Sequence, residues 1–117
     1  MSEVLPAQFV GALYEVEGGP SLSDLPDGGR ALGRPQVHPD ALFDWARFAD
    51  TRPQLNETWD DYLDSLLRAI YAALSAQRTP VQIAMWWHLG HPCVETDADW
   101  DQEYAARFTA ALAKRGV

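Results

Sequence analysis

Residues 57–77 read ETWDDYLDSLLRAIYAALSAQ, and their apolar positions recur at steps of three and four residues. Asn56 or Thr58 can cap the start, and the acids that follow complement the positive end of a helix dipole. This pattern predicts a long helix whose apolar face forms the centre of the core. The residues on that face are Trp59, Tyr62, Leu63, Leu66, Leu67, Ile70, Tyr71 and Leu74.

Two further amphipathic helices are predicted on either side of this one. Residues 39–50 carry an apolar stripe and begin at a proline, which suits the first turn of a helix. Residues 98–114 carry a second stripe, for which Thr96, Asp97 or Asp99 can supply the N-terminal cap. Both stripes are expected to join the same core.

A fourth helix is predicted within TPVQIAMWWHLGHPC, residues 79–93. Thr79 at the N-cap and Gln82 at the third helical position form a capping box, and Pro80 suits the first position. Gly90 is placed to end the helix in a left-handed conformation. Alternating apolar residues also permit a strand here, but the capping pattern favours a helix.

The N-terminal third of the chain has a different pattern. Residues 8–17 alternate in a way typical of a β-strand, with apolar residues on both faces, and residues 18–36 are rich in Gly and Pro. A lone strand needs a partner for its backbone groups, either residues 93–96, another N-terminal segment or a second chain. A homodimer through this strand is expected if the chain itself supplies no partner.

These elements predict a mostly α fold in a single domain over residues 1–117. Residues 1–38 are expected to form a short β element and a long irregular loop, and residues 39–117 a core of about four helices. The single cysteine cannot form an intrachain disulfide, which is typical of cytoplasmic proteins. We expect no signal peptide and no membrane span.

The charge balance limits the classes of partner. Seventeen acidic and nine basic residues give a formal net charge of −8, which disfavours nucleic acids and anionic membranes because both require a basic face. A basic protein partner is compatible with this charge, since complementary fields steer association. Acidity also keeps a small protein soluble without any partner.

His88, His91 and Cys93 form an H-x-x-H-x-C pattern whose residue types all bind zinc or copper. A closed zinc site needs a fourth ligand, for which Glu95 or His38 is a candidate. The glycine and the proline inside the pattern are expected to break the helix, so the imidazoles need not converge. The simpler interpretation is that both histidines cap helix carbonyls and the cysteine is a small buried residue, so no metal or cofactor is predicted.

Adjacent tryptophans, Trp86 and Trp87, point about 100° apart on a helix, so one can be buried while the other is exposed. They belong either to the core or to an aromatic binding surface. Acids cluster at the start of the central helix and around the start of the last one, where they form either a docking surface or solvated faces. The candidate binding residues are Trp86, Trp87, His88, His91, Asp60, Asp61, Asp97 and Asp99.

The sequence supports three hypotheses about function. The leading one is a small, acidic, non-enzymatic interaction module, such as an inhibitor, an antitoxin or immunity-type factor, or an adaptor, that binds a basic protein. The alternative is a protein that binds a small molecule or a metal with the segment from Trp86 to Cys93. An enzyme is least favoured, because it would need His38, Asp40 or Asp44 beside His88 or His91 in one cleft.

Overall fold

Five helices make up the described part of the fold. The computed structural model describes residues 3–19 and 33–117. The helices are α1 Pro6–Glu17, α2 Pro39–Ala49, α3 Trp59–Leu74, α4 Pro80–Leu89 and α5 Gln102–Ala113. The mostly helical prediction is therefore confirmed, whereas residues 20–32, the larger part of the predicted irregular stretch, lie outside the described residues.

α3 is the central helix, as its apolar pattern predicts. Its predicted stripe is buried except at Trp59, which is partly buried. The Thr58 hydroxyl accepts a 3.1 Å hydrogen bond from the backbone N–H of Asp61, so Thr58 rather than Asn56 is the N-terminal cap. α1 and α2 both pack on α3, and their buried residues share one apolar core.

The predicted N-terminal strand is wrong, because residues 8–17 lie within α1. Phe9, Ala12 and Leu13 are buried at steps of three and four residues, so the core covers a helical face. Gly18 ends the helix in the left-handed conformation with a φ of 66°. A helix satisfies its backbone groups internally, so α1 offers no strand edge through which the expected homodimer could pair.

α1 runs antiparallel to α5 and packs closely on it. The Phe9 ring stacks on Tyr71 of α3 at 4.6 Å and meets Phe108 of α5 edge-on at 5.7 Å. At the surface, Glu15 accepts hydrogen bonds from Lys114 at 2.9 Å and from Arg115 at 3.0 Å. The Tyr104 hydroxyl near the start of α5 donates to Glu17 at the end of α1, and Gln8 in the first turn of α1 donates to the Arg115 carbonyl just after α5, so the two helices are antiparallel.

α4 has the start and the end that its sequence predicts. The Gln82 backbone N–H donates to Thr79 Oγ1 at 3.2 Å, and the Thr79 N–H donates to Gln82 Oε1 at 3.1 Å. Gly90 follows in the left-handed conformation with a φ of 85°. The helix prediction for this segment is confirmed, and the alternative strand is wrong.

α5 begins later than the acids before it predict. The predicted caps Thr96, Asp97 and Asp99 are wrong, because Asp101 accepts the capping hydrogen bond, 3.0 Å long, from the backbone N–H of Tyr104. The three predicted residues belong instead to the connection between α4 and α5.

Candidate functional site

Three tryptophan side chains meet between α2 and α4. The Trp45 ring of α2 lies 5.2 Å from the Trp86 ring and 6.0 Å from the Trp87 ring, measured between centroids. Trp45 is buried, whereas Trp86 and Trp87 are partly buried at the edge of the core. Aromatic side chains therefore join the two helices, and an open cleft lies over them.

This cleft has a volume of about 220 Å³ and is lined mainly by aromatic side chains. Phe48 forms one wall, since its ring meets Trp45 edge-on at 5.7 Å while half of the residue stays exposed. Asp44 is the only charged residue among the described residues that line it. We call this site the aromatic cleft, and its lining residues are Ala41, Asp44, Trp45, Phe48, Trp86, Trp87 and Gly90.

Both tryptophans of α4 have contacts that fix their orientation. The Trp87 indole N–H donates a 2.7 Å hydrogen bond to the carbonyl oxygen of Pro35. The Arg78 guanidinium lies 4.9 Å from the centroid of the Trp86 ring, within the range of a cation–π interaction. Neither indole is fully in the core, and each presents surface to the cleft.

A second cavity, of about 390 Å³, adjoins the aromatic cleft at Trp87. Glu17, His38 and His88 all line it, so ionisable side chains from three separate parts of the chain border one space. The enzyme hypothesis requires such a meeting of His38 with His88. The described lining contains these acid–base groups but no Ser, Thr or Cys that could act as a nucleophile.

Glu17 is the centre of a polar cluster beside this cavity. The Tyr104 hydroxyl donates a 2.6 Å hydrogen bond to Glu17 Oε2, and His88 Nδ1 lies 3.8 Å from the same oxygen. The His88 ring stacks on the Tyr104 ring at 3.9 Å, and His88 Nε2 lies 3.3 Å from Asp101 Oδ2. His88 therefore lies between the carboxylate at the end of α1 and the one that caps α5.

The two carboxyl groups of this cluster have pKa values that are shifted in opposite directions. Burial raises the pKa of Glu17 above its ordinary value, although the Tyr104 hydroxyl and His88 oppose that shift. The capping N–H of Tyr104 lowers the pKa of Asp101, with a smaller contribution from His88. Burial, followed by the charge of Glu17, also raises the pKa of the Tyr104 hydroxyl.

A second polar cluster lies in the connection between α4 and α5. His91 Nε2 lies 2.7 Å from Asp99 Oδ2, and the Cys93 thiol donates to Asp99 Oδ1 at 3.4 Å. Asp97 Oδ2 accepts a 2.8 Å hydrogen bond from the backbone N–H of Val94. Burial, together with Asp99, raises the pKa of the Cys93 thiol to about 11. We call His91, Cys93, Asp97 and Asp99 the loop cluster.

The H-x-x-H-x-C pattern is divided between the two clusters. His88 stays on α4 and approaches Glu17 and Asp101. His91 and Cys93 follow the helix and both approach the next aspartate of the loop, Asp99. Spacing in the sequence therefore groups three residues that the fold separates after Gly90.

Several residues of these sites give little signal in the sequence. The stripe of residues 39–50 places Trp45 in the core, but its contact with α4 depends on how two helices approach each other. Glu17 falls at the end of the supposed strand, so nothing in the pattern links it to α5. Asp60 and Asp61, two of the candidate binding residues, lie in the first turn of α3 and outside the described linings of both cavities.

No family model, no curated protein and no solved structure matches this chain, so its function is inferred from the geometry of its own sites. Within residues 3–19 and 33–117, no helix is both long enough and apolar enough to cross a bilayer. The aromatic cleft, the adjoining cavity and the loop cluster are the features that bear on function.

Proposed function

We propose that this chain is a small acidic interaction module that binds a basic protein partner through the aromatic cleft. The composition of the cleft carries the proposal, because four aromatic rings and one carboxylate surround a single open space. Such a site suits a long basic side chain, whose alkyl stem can pack on the rings while its cationic head meets the carboxylate.

Two contacts favour a cationic side chain of the partner in the cleft over a purely apolar one. Arg78 lies over the Trp86 ring at 4.9 Å, so one indole of this cleft already accepts a guanidinium. Asp44 has a side chain that is 80% exposed, and its 3.8 Å pair with Arg47 is long and solvated. A pair of that kind contributes little, so Asp44 is free to exchange it for a partner's cation.

The wider surface supports the same partner. The formal net charge of −8 attracts a basic protein over a distance and speeds its association. Phe48 on α2 is 50% exposed at the wall of the cleft, so apolar contact area is available to the partner there. The proposal covers an inhibitor, an antitoxin or immunity-type factor, and an adaptor, and the identity of the partner decides between them.

Synthetic peptides test the proposal. One series carries a single arginine flanked by apolar residues, and a matched series carries citrulline, which keeps the shape but removes the charge. Calorimetry and tryptophan fluorescence measure binding to the purified protein. We expect saturable binding of the arginine peptides and at least about tenfold weaker binding of the citrulline peptides, because the cation–π and ion-pair contacts are lost together.

Variants of α2 then locate the binding. Phe48→Ala and Asp44→Asn are each expected to weaken binding by about fivefold. The matched controls are Phe43→Ala, an exposed phenylalanine of the same helix, and Asp61→Asn, an exposed aspartate outside the cleft. The proposal is wrong if no basic peptide binds, or if the controls weaken binding as much as the cleft variants do.

Small-molecule binding is a second candidate, which the adjoining cavity of about 390 Å³ favours. That volume lies in the range of ligand sites, and Glu17, His38 and His88 supply polar groups to orient a ligand. A panel of aromatic and apolar compounds, followed by quenching of tryptophan fluorescence, tests it. His38→Ala should abolish any response, whereas His91→Ala, outside the cavity, should not.

A further inference from the structure

Metal ligands of three chemical kinds, a thiol, two carboxylates and an imidazole, lie in the short connection between α4 and α5. The Cys93 sulfur, a carboxylate oxygen of Asp97 and one of Asp99 all lie within 4.8 Å of one another. His91 adds an imidazole, whose Nε2 lies 2.7 Å from the second oxygen of Asp99. Sulfur and oxygen donors therefore converge here, with a nitrogen donor beside Asp99, within nine residues of sequence and outside the described linings of both cavities.

One distance between two of these ligand atoms already matches a tetrahedral site. Zn²⁺ bonds of about 2.3 Å to sulfur and about 2.0 Å to oxygen or nitrogen place neighbouring ligand atoms about 3.3–3.5 Å apart. Cys93 Sγ and Asp99 Oδ1 are already 3.4 Å apart. Asp99 Oδ1 is thus the ligand oxygen, while Asp99 Oδ2 lies 2.7 Å from His91 Nε2, so the imidazole is beside the site and would turn from Oδ2 toward the ion to bind it.

Burial distinguishes this arrangement from a solvated acidic surface. Cys93 is only 1% exposed and lies at the base of the cluster, whereas the side chains of Asp99 and His91 are 50% and 52% exposed. An ion arriving from solvent would meet the carboxylates and the imidazole first and the sulfur last. The soft donor is thus already enclosed, and the harder donors border the opening.

We propose that the loop cluster binds one divalent transition-metal cation of borderline softness, Zn²⁺ being the best fit. The ligand atoms are Cys93 Sγ, His91 Nε2 and one oxygen from each of Asp97 and Asp99. The thiol proton passes to solvent, His91 binds as the neutral imidazole, and the thiolate and two carboxylates offset the charge of the ion. Ca²⁺ and Mg²⁺ are disfavoured, because they require mostly oxygen ligands and a higher coordination number.

The ligand set differs from the one that sequence spacing suggests. His88 is excluded because its ring stacks on Tyr104 and its two nitrogens face the carboxylates of Asp101 and Glu17. Asp99 replaces His88 in the ligand set, since the His91 imidazole and the Cys93 thiol both approach Asp99. Bound metal would tie the start of the connection to its end and so fix the position of α5 relative to α4.

Metal titration of the full-length, untagged, chelator-treated protein tests the proposal. Co²⁺ is the first probe, because a thiolate ligand gives a sulfur-to-cobalt charge-transfer band and a tetrahedral site gives intense visible bands. Competition with a chromophoric chelator then measures Zn²⁺ affinity and stoichiometry. We expect one ion per chain, with both spectroscopic signatures.

The variants assign the ligands. Cys93→Ser should remove the charge-transfer band, and His91→Ala and Asp99→Asn should each lower Zn²⁺ affinity at least about tenfold. His91 and Asp99 are exposed, so these two variants test the site even if the buried Cys93→Ser variant fails to fold. The matched controls are His88→Ala and Glu95→Gln, which change the other histidine and another acid of the same loop.

Three results would overturn the proposal. They are a Co²⁺ spectrum without a thiolate band in the native protein, a Zn²⁺ affinity that His91→Ala and Asp99→Asn leave unchanged, and an equal loss in His88→Ala. The first would mean that sulfur is not a ligand, and the others that the metal binds elsewhere on an acidic surface. Circular dichroism of every variant separates loss of ligands from loss of the fold.

Discussion

The indole nitrogen of Trp87 donates a 2.7 Å hydrogen bond to the carbonyl oxygen of Pro35, which lies 52 residues earlier in the chain. α4 thereby holds the segment that leads into α2, and α2 supplies the opposite wall of the aromatic cleft. The width of the cleft consequently depends on one partly buried hydrogen bond as well as on the packing of the rings around Trp45.

Replacing Trp87 by Phe removes that hydrogen bond and leaves the Pro35 carbonyl without it. Trp87→Phe and Trp86→Phe remove the same atoms at adjacent positions, but only the first removes the hydrogen bond to Pro35. We therefore expect Trp87→Phe to lower the free energy of unfolding by about 1 kcal/mol more than Trp86→Phe. Urea denaturation of both variants measures the difference. Equal losses would show that the Pro35 contact contributes nothing to stability.

Two glutamates of α1 should respond to pH in opposite ways. Burial raises the pKa of Glu17, so its ionisation costs stability as the pH rises above the ordinary value of 4.5. Hydrogen bonds from Lys114 and Arg115 lower the pKa of Glu15, so its contribution is present above 4.5 and is lost as the pH falls.

Thermal unfolding between pH 3.5 and pH 8, compared with the variants, measures both effects. Relative to Glu17→Gln, which keeps an acceptor for the Tyr104 hydroxyl, the native protein should lose melting temperature as the pH rises. Relative to Glu15→Gln, it should lose melting temperature as the pH falls. The same sign for both glutamates would contradict the burial of Glu17.

Asp101 caps α5 and also faces His88, and two substitutions separate these roles. Asp101→Ala removes the acceptor for the Tyr104 N–H and should lower the melting temperature, as the loss of an N-terminal cap does. Asp101→Asn keeps an acceptor oxygen and removes only the charge, so it should recover most of that loss. If Asn is as destabilising as Ala, the charge facing His88, and not the cap, is what stabilises α5.

Gly90 ends α4 with a φ of 85°, and a side chain placed there would meet nothing within 4 Å. Any cost of Gly90→Ala is therefore a backbone cost, which we expect to be about 1 kcal/mol. Gly90→Asn should cost less, because Asn tolerates left-handed angles better than Ala does. Chemical denaturation of the two variants checks the order, and a neutral Gly90→Ala would mean that the helix end shifts.

The capping pattern of α4 allowed its limits to be predicted from the sequence, and similar residues were present in α1. Pro6 stands at the first helical position, Gln8 at the third bonds back to the Leu5 N–H at 2.8 Å, and Gly18 ends the helix. Leu5 stands where Thr79 stands in α4, so the polar N-cap residue is missing. The alternation of side chains in residues 8–17 therefore led to the prediction of a strand and not of a helix.

The sites were predictable where they are local and not where they depend on packing. Trp86 and Trp87 line the aromatic cleft, but their partner Trp45 could be found only once α2 and α4 had been placed together. In the loop cluster, the chain turns so that Asp99 reaches both His91 and Cys93, although the glycine and proline before it argue against convergence. Periodicity identifies faces of helices, but carries no information on how a loop turns.

The antiparallel pairing of α1 with α5 has a consequence for biosynthesis. Gln8 Nε2 donates to the Arg115 carbonyl oxygen, 107 positions later, and Phe9 packs on Phe108. The ribosome must therefore release α5 before the first helix can be fully covered, and the side of Phe9 that meets Phe108 stays accessible until then, even if Tyr71 of α3 already packs on the ring. Contacts of such long range delay folding, so the native core should form after translation of α5 and not progressively from the N-terminus.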